Sequence, residues 1–165
     1  MKELLLIRHA KSSWEQDLPD HERPLAPRGE RAAPEMGRRL ARAGAVPDLV
    51  LTSDAVRARS TAAALARAAG LDPAAVVAAP RLYAADAEAI VALARELDDT
   101  HDRVALVGHN PALHEAVELL CELRPDKLPT AAVVRIRWPV EHWRELSEDT
   151  GTCVDFDYPK KSATG

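Results

Sequence analysis

The sequence predicts an α/β protein of three layers: a mainly parallel central sheet with helices on both faces. Three observations carry this. Leu4-Leu5-Leu6-Ile7 is a run of large apolar residues, the mark of a strand buried on both faces. Leu49-Val50-Leu51 and the stretch from Arg103 to Val107 repeat that pattern, with helix-like segments between them. Apolar residues make up 47% of a 165-residue chain, which suffices for a full core and is expected to form one domain over 1–165.

After the first strand, Lys11 to Pro27 is polar and carries Pro19, Pro24 and Pro27, so it reads as a long loop. Loops of that length in a compact domain are often functional, and Ser12, Ser13, Trp14, His21 and Arg23 are placed to line a pocket. Arg28 to Ala43 reads as a helix with Met36, Leu40 and Ala43 on one face and Gly44 as its stop. Pro34 predicts either a kink or a start near that position. Asp48 to Thr52 is a short strand, after which Ser53 or Asp54 should cap a helix that runs to Ala69, before Gly70.

Val76 to Ala79 reads as a third strand and Asp86 to Leu97 as a helix with Ile90, Leu93 and Leu97 on one stripe. Arg103 to Val107 is a buried strand ending on Gly108-His109-Asn110-Pro111, and a helix from Pro111 to Leu123 follows, with proline in its first turn. Ala131 to Trp138 alternates, with Val133, Arg135 and Arg137 against Val134, Ile136 and Trp138. That period of two predicts a half-exposed strand at a sheet edge. Thr152 to Phe156 reads as one more strand, and the tail from Lys160 as disordered.

Composition narrows the function. A net charge of -4 argues against nucleic acid or an anionic membrane as the main partner. No apolar run reaches the length of a membrane span, and Met1-Lys2-Glu3 leads straight into a strand, so neither anchor nor signal peptide is expected. Cys121 and Cys153 sit in no metal-ligand spacing and read as free thiols of a reducing compartment, which places the protein in the cytoplasm.

The chemistry gathers where strands end. The first strand stops on Arg8 and His9, the second leads through Ser53 to a helix whose first turn holds Arg57, and the fourth ends beside His109. In open α/β sheets ligands bind at the carboxyl ends of strands. If these strands are parallel neighbours, Arg8, His9, Arg57 and His109 meet on one rim. Two guanidiniums and a helix N-terminus there suit a dianion. Two histidines in that field suit a nucleophile with either an oxyanion ligand or a proton carrier. No Walker-type glycine loop and no metal-ligand cluster appears.

Three segments in this order resemble the histidine phosphatase superfamily, and more closely its small SixA-type phosphohistidine phosphatases. They are Leu6-Ile7-Arg8-His9-Ala10-Lys11-Ser12, Thr52 to Ala62 with Arg57 at its centre, and Val107-Gly108-His109-Asn110-Pro111. The resemblance implies a phosphoglycerate-mutase-like fold. It implies His9 as the nucleophile carrying a phosphoryl group, with Arg8, Arg57 and His109 binding its oxygens; Ser12, in the loop that follows, is placed by its position to bind substrate beside them. It also implies activity without a metal or organic cofactor, on a phosphorylated protein or a small phosphorylated substrate. A phosphomonoesterase, a phosphosugar mutase and a non-catalytic phosphate-binding module are the alternatives.

The chain departs from the family pattern at Ala10, which replaces a glycine, and at Asp54 and Ser60, which replace a proline and a glutamine. Asn110 stands where phytase-like relatives carry an acid. The remaining candidates for a proton donor are Asp86, Glu88, Asp20 and Glu22, each expected to be a solvated or capping carboxylate. Arg57 and Arg59 differ in direction by about 200° on a helix, so only one can face the pocket, and the motif selects Arg57.

Overall fold

The computed structural model describes residues 1–161. Six strands form one sheet: β1 (Lys2–Arg8), β2 (Leu49–Thr52), β3 (Val76–Ala78), β4 (Arg103–Gly108), β5 (Val133–Trp138) and β6 (Thr152–Asp157), in spatial order β3-β2-β4-β1-β5-β6. Four α-helices, α1 (Pro27–Arg42), α2 (Val56–Ala69), α3 (Ala87–Arg95) and α4 (Ala112–Leu120), cover its faces. Leu4 and Leu6 of β1 face a core shared with α3 and α4, while Leu5 and Ile7 face one shared with α1 and α2. All four are fully buried, which is why the run is uninterrupted rather than alternating. Each such side chain contributes about 1.5–3 kcal/mol by leaving water.

The expected parallel core is present: β1 pairs with β4, β4 with β2, and β2 with β3, all parallel. Arg8 lies opposite Gly108, and Thr52 opposite Val107, so the carboxyl ends of β2, β4 and β1 are level. The segment expected at an edge is an inner strand instead. β5 runs antiparallel between β1 and β6, and the edges are β3 and β6. Its alternation has another cause than solvent. Arg135 and Arg137 point to one face and there meet the Glu3 carboxylate at 3.2 and 3.0 Å, with Arg103 on its other oxygen.

Helix ends differ from expectation for local reasons. The first helix starts at Pro27 and passes through Pro34, which therefore does not mark its start. Gly44, just past its end, has φ +66°, a conformation that suits glycine. Ser53 and Asp54 do not cap α2, which begins after Ala55 with no side-chain cap. Pro111 precedes α4 rather than opening it, and the helix stops at Leu120 because Cys121 turns extended and bridges to Gly151. Asp86 does cap α3, accepting from the Ala89 amide at 2.8 Å.

The segment from Lys11 to Pro27 is organised. Ser12 bridges to Leu25, Asp20–Glu22 forms a single 3-10 turn, and the Trp14 ring stacks on Arg23 at 3.5 Å. At the other end of the chain, Arg39 donates to the carbonyls of Tyr158 and Pro159, both at 2.9 Å, which holds the chain up to Lys160. The remainder of the tail expected to be disordered, from residue 162, lies outside the described residues.

Glu3 supplies a test of the inner position of β5. Its carboxylate is 4% exposed, and although burial alone would raise its pKa, the Arg103 hydrogen bond and the fields of Arg135 and Arg103 pull it below the usual range. Glu3→Gln leaves three guanidiniums around a neutral amide. Because two of them are partly solvated, the cost should fall near the lower end of that for breaking a buried pair, about 2–3 kcal/mol. Urea unfolding at pH 7 measures it, and a loss below 1 kcal/mol would contradict the arrangement. Turnover should survive, since Glu3 sits roughly 20 Å along the strand from His9.

Candidate active site

The level strand ends bring the expected residues together. The His9 amide donates to the Gly108 carbonyl at 3.0 Å, and the Ser53 amide to the Val107 carbonyl at 2.9 Å. His9, His109 and Ser53 therefore leave three adjacent strands side by side. The Ala131 amide donates to His9 O at 3.0 Å and holds the exit of β1 from the other flank. Thr61 joins α2 to that exit: its hydroxyl accepts from the Ala10 amide at 2.9 Å and donates to Arg57 O at 2.7 Å. The position of Arg57 is thereby tied to the backbone next to His9.

His9 is 7% exposed. Its Nδ1 lies 2.7 Å from the Ala10 carbonyl, which can only accept, so Nδ1 carries the proton and Nε2 keeps its lone pair. Burial lowers its pKa, and the fields of His109, Arg57 and Arg8 lower it further against the Ala10 hydrogen bond, to about 3. The ring is neutral at pH 7. His109 stands with its ring centroid 5.2 Å away, and its Nε2 shares a hydrogen bond with Ser53 Oγ at 2.7 Å. Burial and then Arg57 bring its pKa to about 4.

Arg57 is 7% exposed at its side chain, whereas Arg59 is exposed and donates to the Asp54 carbonyl at 2.9 Å, as the helical geometry requires. Arg8 donates to Leu128 O at 3.0 Å. Nε of Arg8, Nε of Arg57 and Nδ1 of His109 are buried with no hydrogen-bond partner among the described residues. Ser12 is turned to Arg23, from whose guanidinium its hydroxyl accepts at 2.8 Å.

Asp20 is the acidic residue that enters the site. Its carboxylate accepts from Arg57 at 2.9 Å, from Arg23 at 3.1 Å and from the Tyr83 hydroxyl at 2.7 Å. The Tyr83 hydrogen bond, with those of Arg57 and Arg23, outweighs desolvation and holds this carboxyl well below the usual range. An ionised Asp20 is a counter-ion to Arg57 and has no proton to donate. Asp86 is spent on its helix cap, and Glu22 and Glu88 are exposed. Asn110 donates to Leu128 O at 3.0 Å.

Sequence reasoning missed Tyr83, whose ring stands edge-on to His109 at 5.6 Å, because nothing in its neighbours distinguishes it. It also missed Thr61, although Thr61 lies in the quoted Arg57 segment. Among the described residues no three His, Cys, Asp or Glu side chains gather as a metal site, and no helix is long and apolar enough to cross a membrane. The arrangement offers a neutral nucleophilic nitrogen within a cationic, hydrogen-bonding wall. It is equipped to attack a centre that carries several oxyanions.

The two depressed histidines give stability a specific pH dependence. Their folded pKa values lie below the ordinary 6.5 of the unfolded chain, so unfolding takes up protons as pH falls. Stability should be complete above about 6.5 and fall by roughly 2 kcal/mol per buried histidine by pH 4.5, before most carboxylates titrate. Urea unfolding at pH 7 and pH 4.5 measures this, and His9→Gln should remove part of the loss. A flat profile would mean that the rings are solvated.

Known proteins are similar to this chain in sequence and fold. The profile of the histidine phosphatase superfamily (branch 1) matches residues 4–83, the span that holds Arg8, His9 and Arg57. Protein Rv1276c of Mycobacterium tuberculosis is 31% identical over 164 residues, covering 93% of this chain and 100% of that one. A SixA-type chain from Agrobacterium tumefaciens superposes with a TM-score of 0.80 at 28% identity, over 96% of this chain and 98% of that one. The protein histidine phosphatase SixA, solved with tungstate, also gives 0.80, at 20% identity and over 95% and 97% of the two chains, a likeness of fold. The sheet order, the strand-end histidines and these relatives agree: the chain belongs to the histidine phosphatase superfamily, with the phosphoglycerate-mutase-like fold of its SixA-type members.

Proposed function

We propose that the chain is a phosphatase for phosphohistidine in a protein, working through a phosphorylated His9. One observation carries this reading: the hydrogen bond from His9 Nδ1 to Ala10 O, which leaves Nε2 as a buried, neutral nucleophile. In the first step the Nε2 lone pair attacks phosphorus. The substrate ring carries a proton on its other nitrogen, so when the bond from phosphorus to the leaving nitrogen breaks, its electron pair stays on a neutral imidazole. Arg8, Arg57 and His109 hold the equatorial oxygens as charge redistributes. The phosphoryl group shares Arg57 with Asp20 or displaces it. Water then cleaves the phosphoenzyme, returning the electron pair to Nε2 and releasing orthophosphate.

The substrate class follows from the lack of a dedicated acid. An alkoxide leaving from an ester needs a proton, since its conjugate acid is about as weak as water, with a pKa of roughly 15.7. A phosphohistidine protonated on its other ring nitrogen releases a neutral imidazole, whose conjugate-acid pKa is about 6.5, and needs no proton from the protein. With Asp20 ionised on Arg57 and Asp86 on its helix cap, the site suits the second leaving group. Positive charge comes from arginine, so this reading invokes no metal or organic cofactor. The phosphorylated partner is met in the cytoplasm, where the two free thiols are at home.

His9→Ala should lower turnover by roughly 10³-fold or more without shifting the urea midpoint, and acid-labile phosphate should be trappable on the wild type. Near-normal turnover in that variant would remove the nucleophile assignment and point to a phosphate-binding module or another mechanism. For the substrate, kcat/KM is compared between a phosphohistidine peptide and several alkyl phosphates, in the wild type, Asp86→Asn and Glu88→Gln, with and without a chelator. The peptide should be preferred by at least about 10²-fold, the contribution of a general acid that an ester would require. Neither the variants nor the chelator should matter. Faster ester hydrolysis abolished by either substitution would identify a phosphomonoesterase with a proton donor.

A further inference from the structure

The mouth of the site is electrically lopsided. On the Arg8 side lies a cavity of about 460 Å³ into which Arg8, Lys11, Arg28, Lys127 and Lys160 all project, with Tyr158 in its wall and no carboxylate. On the His109 side a second cavity, of about 290 Å³, is lined by Tyr83, Asp86 and Glu115 and by no cation. The first concentrates positive charge in a chain whose net charge is -4. Among the described residues, none of its five cations has a carboxylate within 4.0 Å, although Arg23, Arg39, Arg57, Arg103 and others are paired.

The fold assembles this cavity from four separate segments. Lys11 lies two residues past His9, and its carbonyl accepts from the Ala26 amide at 2.8 Å. A Cβ at Gly29 would stand 2.2 Å from that carbonyl, so glycine is required for the first turn of α1, with Arg28, to lie so close. Lys127 sits in the loop whose Leu128 carbonyl receives Arg8, and Lys160 follows the tail segment that Arg39 holds. Like charges at this density repel one another, and among the described residues no carboxylate within 4.0 Å offsets them, so an anion would stabilise the group.

We infer that this cavity is a subsite for a second anionic group, a carboxylate or phosphate on the same substrate molecule, with Arg8 shared between it and the phosphoryl site. The inference rests on the phosphatase reading for the word substrate, while the anion site itself stands on the geometry. Two sources supply the chemistry: acidic residues flanking a phosphohistidine, or a further phosphate on a small polyphosphorylated molecule. The acidic cavity opposite sets the direction, because an anion bound there would meet Asp86 and Glu115.

The test uses Lys11→Gln/Arg28→Gln/Lys127→Gln, which leaves Arg8 in place and changes exposed side chains, beside a triple variant retaining charge (Lys11→Arg, Arg28→Lys, Lys127→Arg). Phosphohistidine peptides with acidic and with neutral flanks are compared by kcat/KM. Orthophosphate and tripolyphosphate are compared by calorimetric binding. The wild type should favour the acidic peptide, or bind tripolyphosphate more tightly than orthophosphate, by about tenfold, with the preference fading at high salt. The neutralised variant should lose that preference and change less than twofold toward the neutral peptide and orthophosphate, and the charge-retaining variant should keep it. Preference for the peptide alone identifies carboxylates as the source, and preference for tripolyphosphate alone identifies phosphates. No preference in the wild type, or one retained after neutralisation, overturns the subsite. Absence of all peptide turnover with tripolyphosphate binding intact would overturn the phosphatase reading and leave the anion site standing.

Discussion

The parallel pairing of β1 with β4, and of β4 with β2, is the constraint on which the site depends. It places the carboxyl ends of three strands at one level. The residues that leave them are then neighbours whatever their separation in sequence, and His9, Ser53 and His109 are fastened there by backbone hydrogen bonds. The pairing is stable because β1 is central and its apolar run fills both cores. A charged or polar residue inside that run would have no water to meet. The polar chemistry is therefore pushed to the exit of the strand, where the backbone turns and a ligand can approach.

Burial and positive charge act together on the two histidines. Either would disfavour an imidazolium, and both do so here, so the rings are neutral at the pH at which a nucleophile must work. The buried Arg57 guanidinium would otherwise be uncompensated, and Asp20 answers that need from the adjoining loop. A structural requirement, neutralising a buried guanidinium, thus takes Asp20 out of proton transfer.

Outside the centre, charge is sorted by position rather than averaged. Glu3 gathers three arginines at the opposite end of β1, and the cations beside Arg8 have no such partner. Arginine pairs at the amino end of the sheet belong to stability. Unpaired lysines and arginines at the carboxyl end line the cavity beside Arg8.

Periodicity and strand-end chemistry in the chain were enough to indicate the α/β class, the buried run of β1, the positions of the helices, and the convergence of Arg8, His9, Arg57 and His109. These are local properties: a run of apolar residues, a helical stripe, a polar residue just past a strand. What depended on distant residues was decided only in three dimensions. The alternation in β5 reads as solvent exposure, yet Arg135 and Arg137 alternate because Glu3 waits 132 and 134 residues away. Ser53 has the chemistry of a helix cap, but its hydroxyl also lies against His109, 56 residues on. Tyr83 carries no local signal, since its role comes from Asp20 and His109 folding around it. Sequence patterns report which face or end of an element a residue occupies, while the partner it meets there is set by packing between elements, which no local pattern encodes.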